Sequence, residues 1–194
     1  IVGTGLIFRN FDISDNSNLK LTHFCGFGLG ITISAVVVPI ASKHGFDWSG
    51  QWLIMAMVSS ILVIPTLIFI PQDSPPHEPK LETISVTSGS SKAFIFIAFG
   101  YGLFGLGYII FGTFISAMSL NLSSLYSFGD YAWLTVGIAA LPSVFVWQKL
   151  SIVIGKDLTL AVACFSSAIG IFFAIKFVSI FSLITGCILY GAGM

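Results

Sequence analysis

The chain has 194 residues, of which 56% are hydrophobic and only 8% are charged, and its formal net charge is zero. Ordinary soluble domains carry about 25% charged residues, so this composition, with a mean hydropathy of +0.99, excludes a typical water-soluble fold. The balanced charge gives no reason to expect a nucleic-acid partner. The composition instead predicts a protein of the lipid bilayer.

Apolar runs separated by polar segments divide the chain into predicted membrane helices. Residues 1–8 have the character of the tail of one span, and six further runs follow at residues 21–41, 49–70, 93–120, 131–148, 158–175 and 177–194. A helix needs about 20 apolar residues to cross the hydrocarbon core, and a lone strand cannot satisfy its backbone there. The pattern therefore predicts an all-α polytopic membrane protein. Because both ends lie inside apolar runs, we expect an internal fragment of a longer protein.

The longest uncharged run covers residues 93–129, which include no Asp, Glu, Lys, Arg or His. Its G-Y-G-L-F-G segment matches G-x-G-x-x-G formally, but a dinucleotide site needs that motif between a strand and a helix. We interpret the glycines of this run, Gly105 and Gly107 among them, as helix-packing positions. No cofactor is predicted, and since no two histidines have the spacing of metal ligands, no metal site is predicted either.

One face of the run at residues 93–120 carries aromatic, hydroxyl and glycine positions at helical spacing. The candidate substrate-cavity residues are four positions of this face and two that adjoin it. They are Tyr101, Phe104, Tyr108 and Gly112 on the face, and Thr113 and Ser116 beside it. Two interpretations are open: this face lines a substrate cavity, or it packs against another helix. With no fixed charge on it, the face favours a neutral or amphipathic substrate.

Small and kinking residues mark two other runs. Gly26, Gly28 and Gly30 are typical of a helix that packs closely against a partner or rocks against it. Pro142 lies inside a span, where it kinks the helix for a structural or a gating role. His23, near the start of a span, is better interpreted as an interfacial ring than as a proton relay.

Residues 71–92 form the longest polar segment, rich in Pro and Ser, and are predicted to be a flexible linker between two helical bundles. If the spans alternate in direction, six of the eight Lys and Arg residues lie on the linker side. Only Lys43 and Lys176 lie on the other side. The positive-inside rule then predicts that the linker is cytoplasmic.

The sequence Y-G-L-F-G-L-G-Y-I-I-F-G-T-F-I-S-A-M at residues 101–118 resembles the start of the second half of the YbfB/YjiJ group of major facilitator superfamily (MFS) transporters. In that group a G-x-G-Y-I-I-x-x-T-F-x-x-A-M pattern recurs. Residues 133–147 and 23–31 are similar to two other spans of the same group. The resemblance covers nearly the whole chain.

This resemblance implies a fragment of a 12-helix fold. Residues 1–70 would be the end of the N-terminal half (the tail of TM4, TM5 and TM6), residues 71–92 the cytoplasmic linker, and residues 93–194 the start of the C-terminal half (TM7–TM10). It also implies a secondary transporter of a small molecule in the bacterial cytoplasmic (inner) membrane. Such a transporter works by alternating access, with protons as a candidate coupling ion.

One segment departs from the superfamily pattern. Where a G-x-L-x-D-R-x-G-R-R loop is usual, residues 148–156 read Q-K-L-S-I-V-I-G-K, with Ile152 and Val153 at the positions of Asp and Arg. The salt-bridge lock of that loop is therefore not expected in this half. Since no Asp, Glu, Lys or Arg lies within the spans, we expect a coupling residue outside the fragment, or else uniport.

Two alternatives to transport remain at this point. A polytopic membrane enzyme or receptor-like scaffold would need polar catalytic residues within the spans or a large soluble domain, and the sequence displays no catalytic constellation. The other alternative is a truncated product without transport activity. We therefore predict a transporter and not an enzyme.

Overall fold

The computed structural model describes residues 17–69 and 91–194, and the regular structure in these ranges is helical. The helices are α1 (Ser17–Lys43), α2 (Trp48–Phe69), α3 (Ser91–Asn121), α4 (Gly129–Ile154), α5 (Lys156–Lys176) and α6 (Ile180–Ala192), with a short 3₁₀ helix at Tyr126–Phe128. Five of them, α1 to α5, are long and apolar enough to cross a membrane. The predicted all-α polytopic architecture is confirmed. The predicted span tail at residues 1–8 and most of the predicted linker lie outside the described residues.

Among the boundaries that differ from the predicted ones, two have a local explanation. The last helix begins at Ile180 and not at residue 177, because the Ser179 side chain accepts a hydrogen bond from the backbone N–H of Ser182 at 3.2 Å and so caps the helix. The prediction of a loop at residues 148–156 is wrong, because residues 148–154 belong to α4. No glycine or proline interrupts this apolar segment before Gly155, so α4 continues to Ile154, and Gly155 alone (φ +86°) separates it from α5.

The turn between α1 and α2 is defined by local hydrogen bonds. Gly45 has a φ of +83°, and the N–H of Phe46 donates to the carbonyl of Ala41 at 3.1 Å, which ends α1 in the manner of a Schellman motif. The carboxylate of Asp47 then accepts from the N–H of Gly50 at 2.8 Å and caps the start of α2. Four residues, 44–47, therefore separate the end of α1 from the start of α2.

Helix α4 lies at the centre of the described helices. It packs along α1 on one side and against α3 and α6 on the others, while α5 packs on α6 and α2 packs on α1. The buried core is contributed by α3, α4, α5, α6 and the segment before α4: Phe111, Ile115, Leu125, Ala132, Val136, Ala174, Leu183, Cys187 and Tyr190. This arrangement brings a helix that precedes residues 71–92 against helices that follow them.

Candidate functional site

A cavity of about 900 Å³ lies between the first half of α1, the first half of α3 and the middle and second half of α4. Its lining comes from α1, α3, α4 and the end of the chain: His23, Phe24, Gly26, Phe27, Gly28, Tyr101, Ala140, Ser143, Val144, Trp147 and Met194. Aromatic rings from three helices contribute to this surface. The cavity therefore joins side chains that are distant in sequence but come together on one side of the helix bundle.

Among the predicted cavity residues, Tyr101 lines this cavity, with 80% of its surface exposed. Phe104 and Ser116 are partly buried and Thr113 is exposed, and these three lie outside its lining. The structure thus places the first residue of the predicted face in the cavity. A substrate contact for Phe104, Thr113 and Ser116 remains a prediction.

The deeper part of the same face is packed. The Tyr108 ring stacks on the Tyr190 ring with centroids 6.1 Å apart and lies 6.3 Å from the Phe27 ring. A Cβ added at Gly112 would lie 3.0 Å from Cη2 of Trp133, so this glycine makes room for the indole. One face of α3 therefore opens into the cavity near Tyr101 and is closed by aromatic packing from Tyr108 onward.

Tyr190 connects α6 to α3 through one hydrogen bond. The residue is 2% exposed, and its hydroxyl donates to the backbone carbonyl of Tyr108 at 3.0 Å. We expect Tyr190→Phe to lower the free energy of unfolding by about 1 kcal/mol, the usual net contribution of such a bond. Thermal unfolding of the purified protein measures this, with Tyr126→Phe, at a 66% exposed tyrosine, as the matched control. Equal melting temperatures of the two variants would contradict it.

The predicted packing and gating positions divide into two groups. Gly28 contacts Leu141 of α4, where an added Cβ would lie 3.2 Å from the backbone N. A Cβ added at Gly26, Gly30, Gly105 or Gly107 would meet nothing within 4 Å among the described residues, so helix packing at those four remains a prediction.

Pro142 is exposed, and α4 continues through it. Its gating role likewise stays a prediction. The adjoining Ser143 is buried and donates its hydroxyl to the carbonyl of Ala140 at 2.7 Å. A kink at this position would move the cavity wall, because Ala140 and Ser143 both belong to the lining.

Sequence reasoning missed several glycines that make close contacts between helices. Gly137 of α4 faces Thr32 of α1, and Gly170 of α5 faces Gly186 of α6. The sequence did contain a signal, because Gly170 and Ala174 are two small residues separated by three others. This spacing of small residues is typical of close helix contacts. The cavity residues of α4 were missed as well, although Ala140, Ser143 or Val144, and Trp147 recur at helical spacing.

A second cavity, of about 600 Å³, lies between α1 and α2 and includes Trp48 and Trp52 in its lining. Both helices precede residues 71–92, so this cavity does not join the two parts of the chain. Within residues 17–69 and 91–194, no group of three His, Cys, Asp or Glu side chains is placed to hold a metal ion.

Comparison with known families agrees with this architecture. The profile of the family described as "Uncharacterised MFS-type transporter YbfB" matches residues 1–194. The comparisons with curated proteins and with solved structures give no match. The resemblance seen at residues 101–118 is thereby confirmed over the whole chain. The chain is an integral membrane protein of the transporter class, and it belongs to the family described as uncharacterised MFS-type transporter YbfB.

Proposed function

We propose that this protein transports a small molecule by alternating access and that the cavity between α1, α3 and α4 is part of the substrate path. Transporters built from two repeated halves bind substrate between the halves, near the middle of the membrane. In this proposal residues 1–70 end the N-terminal half, residues 71–92 link the halves, and residues 93–194 begin the C-terminal half.

The observation that carries the proposal is the origin of the cavity lining. Phe24 and Phe27 come from α1, before the linker, whereas Tyr101 and Trp147 come from α3 and α4, after it. The contact between Phe27 and Tyr108 lies about 10 Å further along α3 than Tyr101, at 1.5 Å per residue. An open cavity at one end and aromatic contacts beyond it are what one state of an alternating-access cycle requires.

The open end of the cavity is proposed to face the cytoplasm of a bacterial cell. Tyr101 lies in the first half of α3, the helix that follows the linker, and Trp147 lies in the second half of α4, two residues before Lys149. This end carries most of the basic residues, so the positive-inside rule supports the orientation. The proposed energy source is a proton gradient, with the coupling residue outside the fragment, because the predicted spans contain no Asp, Glu, Lys or Arg.

Cysteine accessibility tests whether the cavity is aqueous and which side it faces. In full-length protein with Cys25, Cys164 and Cys187 replaced by alanine, we expect Tyr101→Cys to react with a membrane-impermeant maleimide in inside-out vesicles. The matched control is Phe99→Cys, two residues away on α3, 64% exposed on the helix surface and outside the cavity lining. We expect the control to face lipid and to react at least about tenfold more slowly.

Equal reaction at the two positions would count against an aqueous cavity at Tyr101. Faster reaction of Tyr101→Cys in right-side-out vesicles would reverse the proposed orientation. Transport itself is then tested by uptake into proteoliposomes, with the variant Tyr101→Ala expected to reduce uptake and Phe99→Ala expected to leave it unchanged.

A further inference from the structure

Aromatic rings from three helices border the cavity between α1, α3 and α4. Phe24, Phe27 and Tyr101 are all more than half exposed, and Trp147 borders the same space. Phe24 and Phe27 are three residues apart, so they lie on one face of α1. Rings left uncovered in a concave site provide apolar area and also the offset or edge-to-face contacts that another aromatic ring prefers.

Two of these rings are held in place by contacts with other helices. The Phe27 ring contacts the Tyr108 ring of α3, with centroids 6.3 Å apart, and the Trp147 indole N–H donates to the carbonyl of Ala192 in α6. A ring that is already fixed loses little conformational freedom when a ligand packs on it. Phe27 and Trp147 therefore present a preformed surface to a ligand.

The wall contributed by α4 consists largely of small side chains. Ala140, Ser143 and Val144 line the cavity together with Trp147, at helical spacing. On α1, a Cβ added to Gly26 of the lining would meet nothing within 4 Å. Small side chains near large rings leave open volume along the rings, and a flat ligand can occupy this volume without displacing either wall.

The described residues of the lining carry no permanently charged side chain, since none of them is Asp, Glu, Lys or Arg. The Ser143 hydroxyl already donates to the Ala140 carbonyl at 2.7 Å. The His23 ring packs edge-to-face against the Phe24 ring, with centroids 5.4 Å apart, and so forms part of the aromatic surface. A charged group that leaves water without a partner incurs a large desolvation cost, so this lining favours an uncharged ligand.

An organic cation is the charged ligand that exposed rings attract, through cation–π contacts. In this cavity a cation would leave water with no acidic side chain in the described lining to balance its charge. The basic residue Lys149 also lies only two residues beyond Trp147 on α4. These charges favour an uncharged aromatic ligand over a cationic one.

We infer that the cavity binds an uncharged, planar aromatic compound, which stacks on the rings of Phe27 and Tyr101. This inference rests on the proposed function, because it assigns a ligand class to the proposed substrate path. The planar shape follows from exposed rings that lie near small side chains, and the absence of charge follows from the composition of the lining. Binding is noncovalent, and no bond or proton of the ligand changes.

Four probes with one bicyclic skeleton test the ligand class. They are the planar, uncharged 2-quinolone, its saturated analogue octahydroquinolin-2-one, the anion quinoline-2-carboxylate and the cation N-methylquinolinium. Equilibrium dialysis against the full-length protein in lipid nanodiscs measures the four affinities at pH 7, and empty nanodiscs correct for partition into lipid. We expect 2-quinolone to bind at least about fivefold more tightly than the saturated analogue, because ring contacts add to the burial of apolar area. Both charged probes should bind more weakly than 2-quinolone.

The variant Tyr101→Leu assigns the preference to the aromatic lining. Tyr101 is 80% exposed, so folding should not depend on its ring, and leucine keeps an apolar side chain at this position. We expect the advantage of 2-quinolone over the saturated analogue to fall to about twofold or less. The matched control is Phe99→Leu, at a ring that is 64% exposed and outside the lining, which should bind all four probes as the unmodified protein does. An unchanged preference in Tyr101→Leu would overturn the inference.

Three other results would also overturn this ligand class: equal affinities for 2-quinolone and its saturated analogue, tightest binding of either charged probe, or no binding of any probe. If Tyr101→Cys still reacts with the maleimide in inside-out vesicles in that case, the aqueous cavity and the proposed function stand and only the ligand class fails. If Tyr101→Cys does not react, the proposed substrate path fails with it.

Discussion

Gly170→Ala is expected to prevent α5 and α6 from packing together. A Cβ at this position would lie 2.6 Å from the carbonyl oxygen of Gly186 and 2.6 Å from the backbone N of Tyr190. Both atoms belong to the backbone of α6, so no side-chain rotation relieves the clash and the helices must separate. Overpacking typically costs about 1–3 kcal/mol and occasionally more, and two backbone contacts place this substitution at the upper end.

The separation of α5 from α6 would also disturb the buried cluster that α6 shares with α4 and α3, including Tyr190 and Cys187. We therefore expect a sharp loss of monodisperse protein in size-exclusion chromatography and a lower melting temperature for the fraction that folds. The matched control is Gly107→Ala in α3, where an added Cβ meets nothing within 4 Å. Because alanine is favoured over glycine in a helix by about 1 kcal/mol, the control should be as stable as the unmodified protein or slightly more stable. Comparable yields and melting temperatures for the two variants would show that α5 and α6 do not pack as described.

These contacts explain what the sequence does and does not determine in this fold. The spans were predictable because a bilayer forces apolar runs of about 20 residues and confines charge to their ends. The end of α4 was predicted too early because Gln148 and Lys149 are polar, whereas residues 148–154 contain no glycine or proline that would stop a helix. Gly155 provides the stop, and its positive φ is visible only in the backbone.

The candidate site was predictable in part, for a related reason. Helical spacing placed Tyr101 and Tyr108 on one face of α3, but spacing along one helix does not reveal which other helix covers that face. Phe27 and Tyr190 cover Tyr108, whereas Tyr101 is left open. The pairing of helices depends on glycines such as Gly137, whose importance comes from a neighbour more than 100 residues away in sequence.

Gly137→Ala should shift the conformational equilibrium of the transporter more than its folding. The added Cβ would lie 2.7 Å from Oγ1 of Thr32 and 2.8 Å from the backbone N of Thr32, so α1 would have to move away from α4. This contact lies further along both helices from the cavity mouth than the contact of Gly28 with Leu141. In the proposed cycle it belongs to the closed end, and the two halves separate there when the cavity closes.

A clash confined to one state changes the free-energy difference between the two states by the full cost of the clash. A cost of about 2 kcal/mol would favour the alternative state by more than tenfold. We therefore expect Gly137→Ala to slow maleimide labelling of Tyr101→Cys in inside-out vesicles by about tenfold or more while the melting temperature changes little, since the alternative state avoids the contact. Gly30→Ala on α1 is the matched control, because an added Cβ there meets nothing within 4 Å, and it should label as fast as the parent. Equal labelling rates in the two variants would contradict this prediction. They would show that α1 and α4 stay together during the cycle and that the halves separate at another interface.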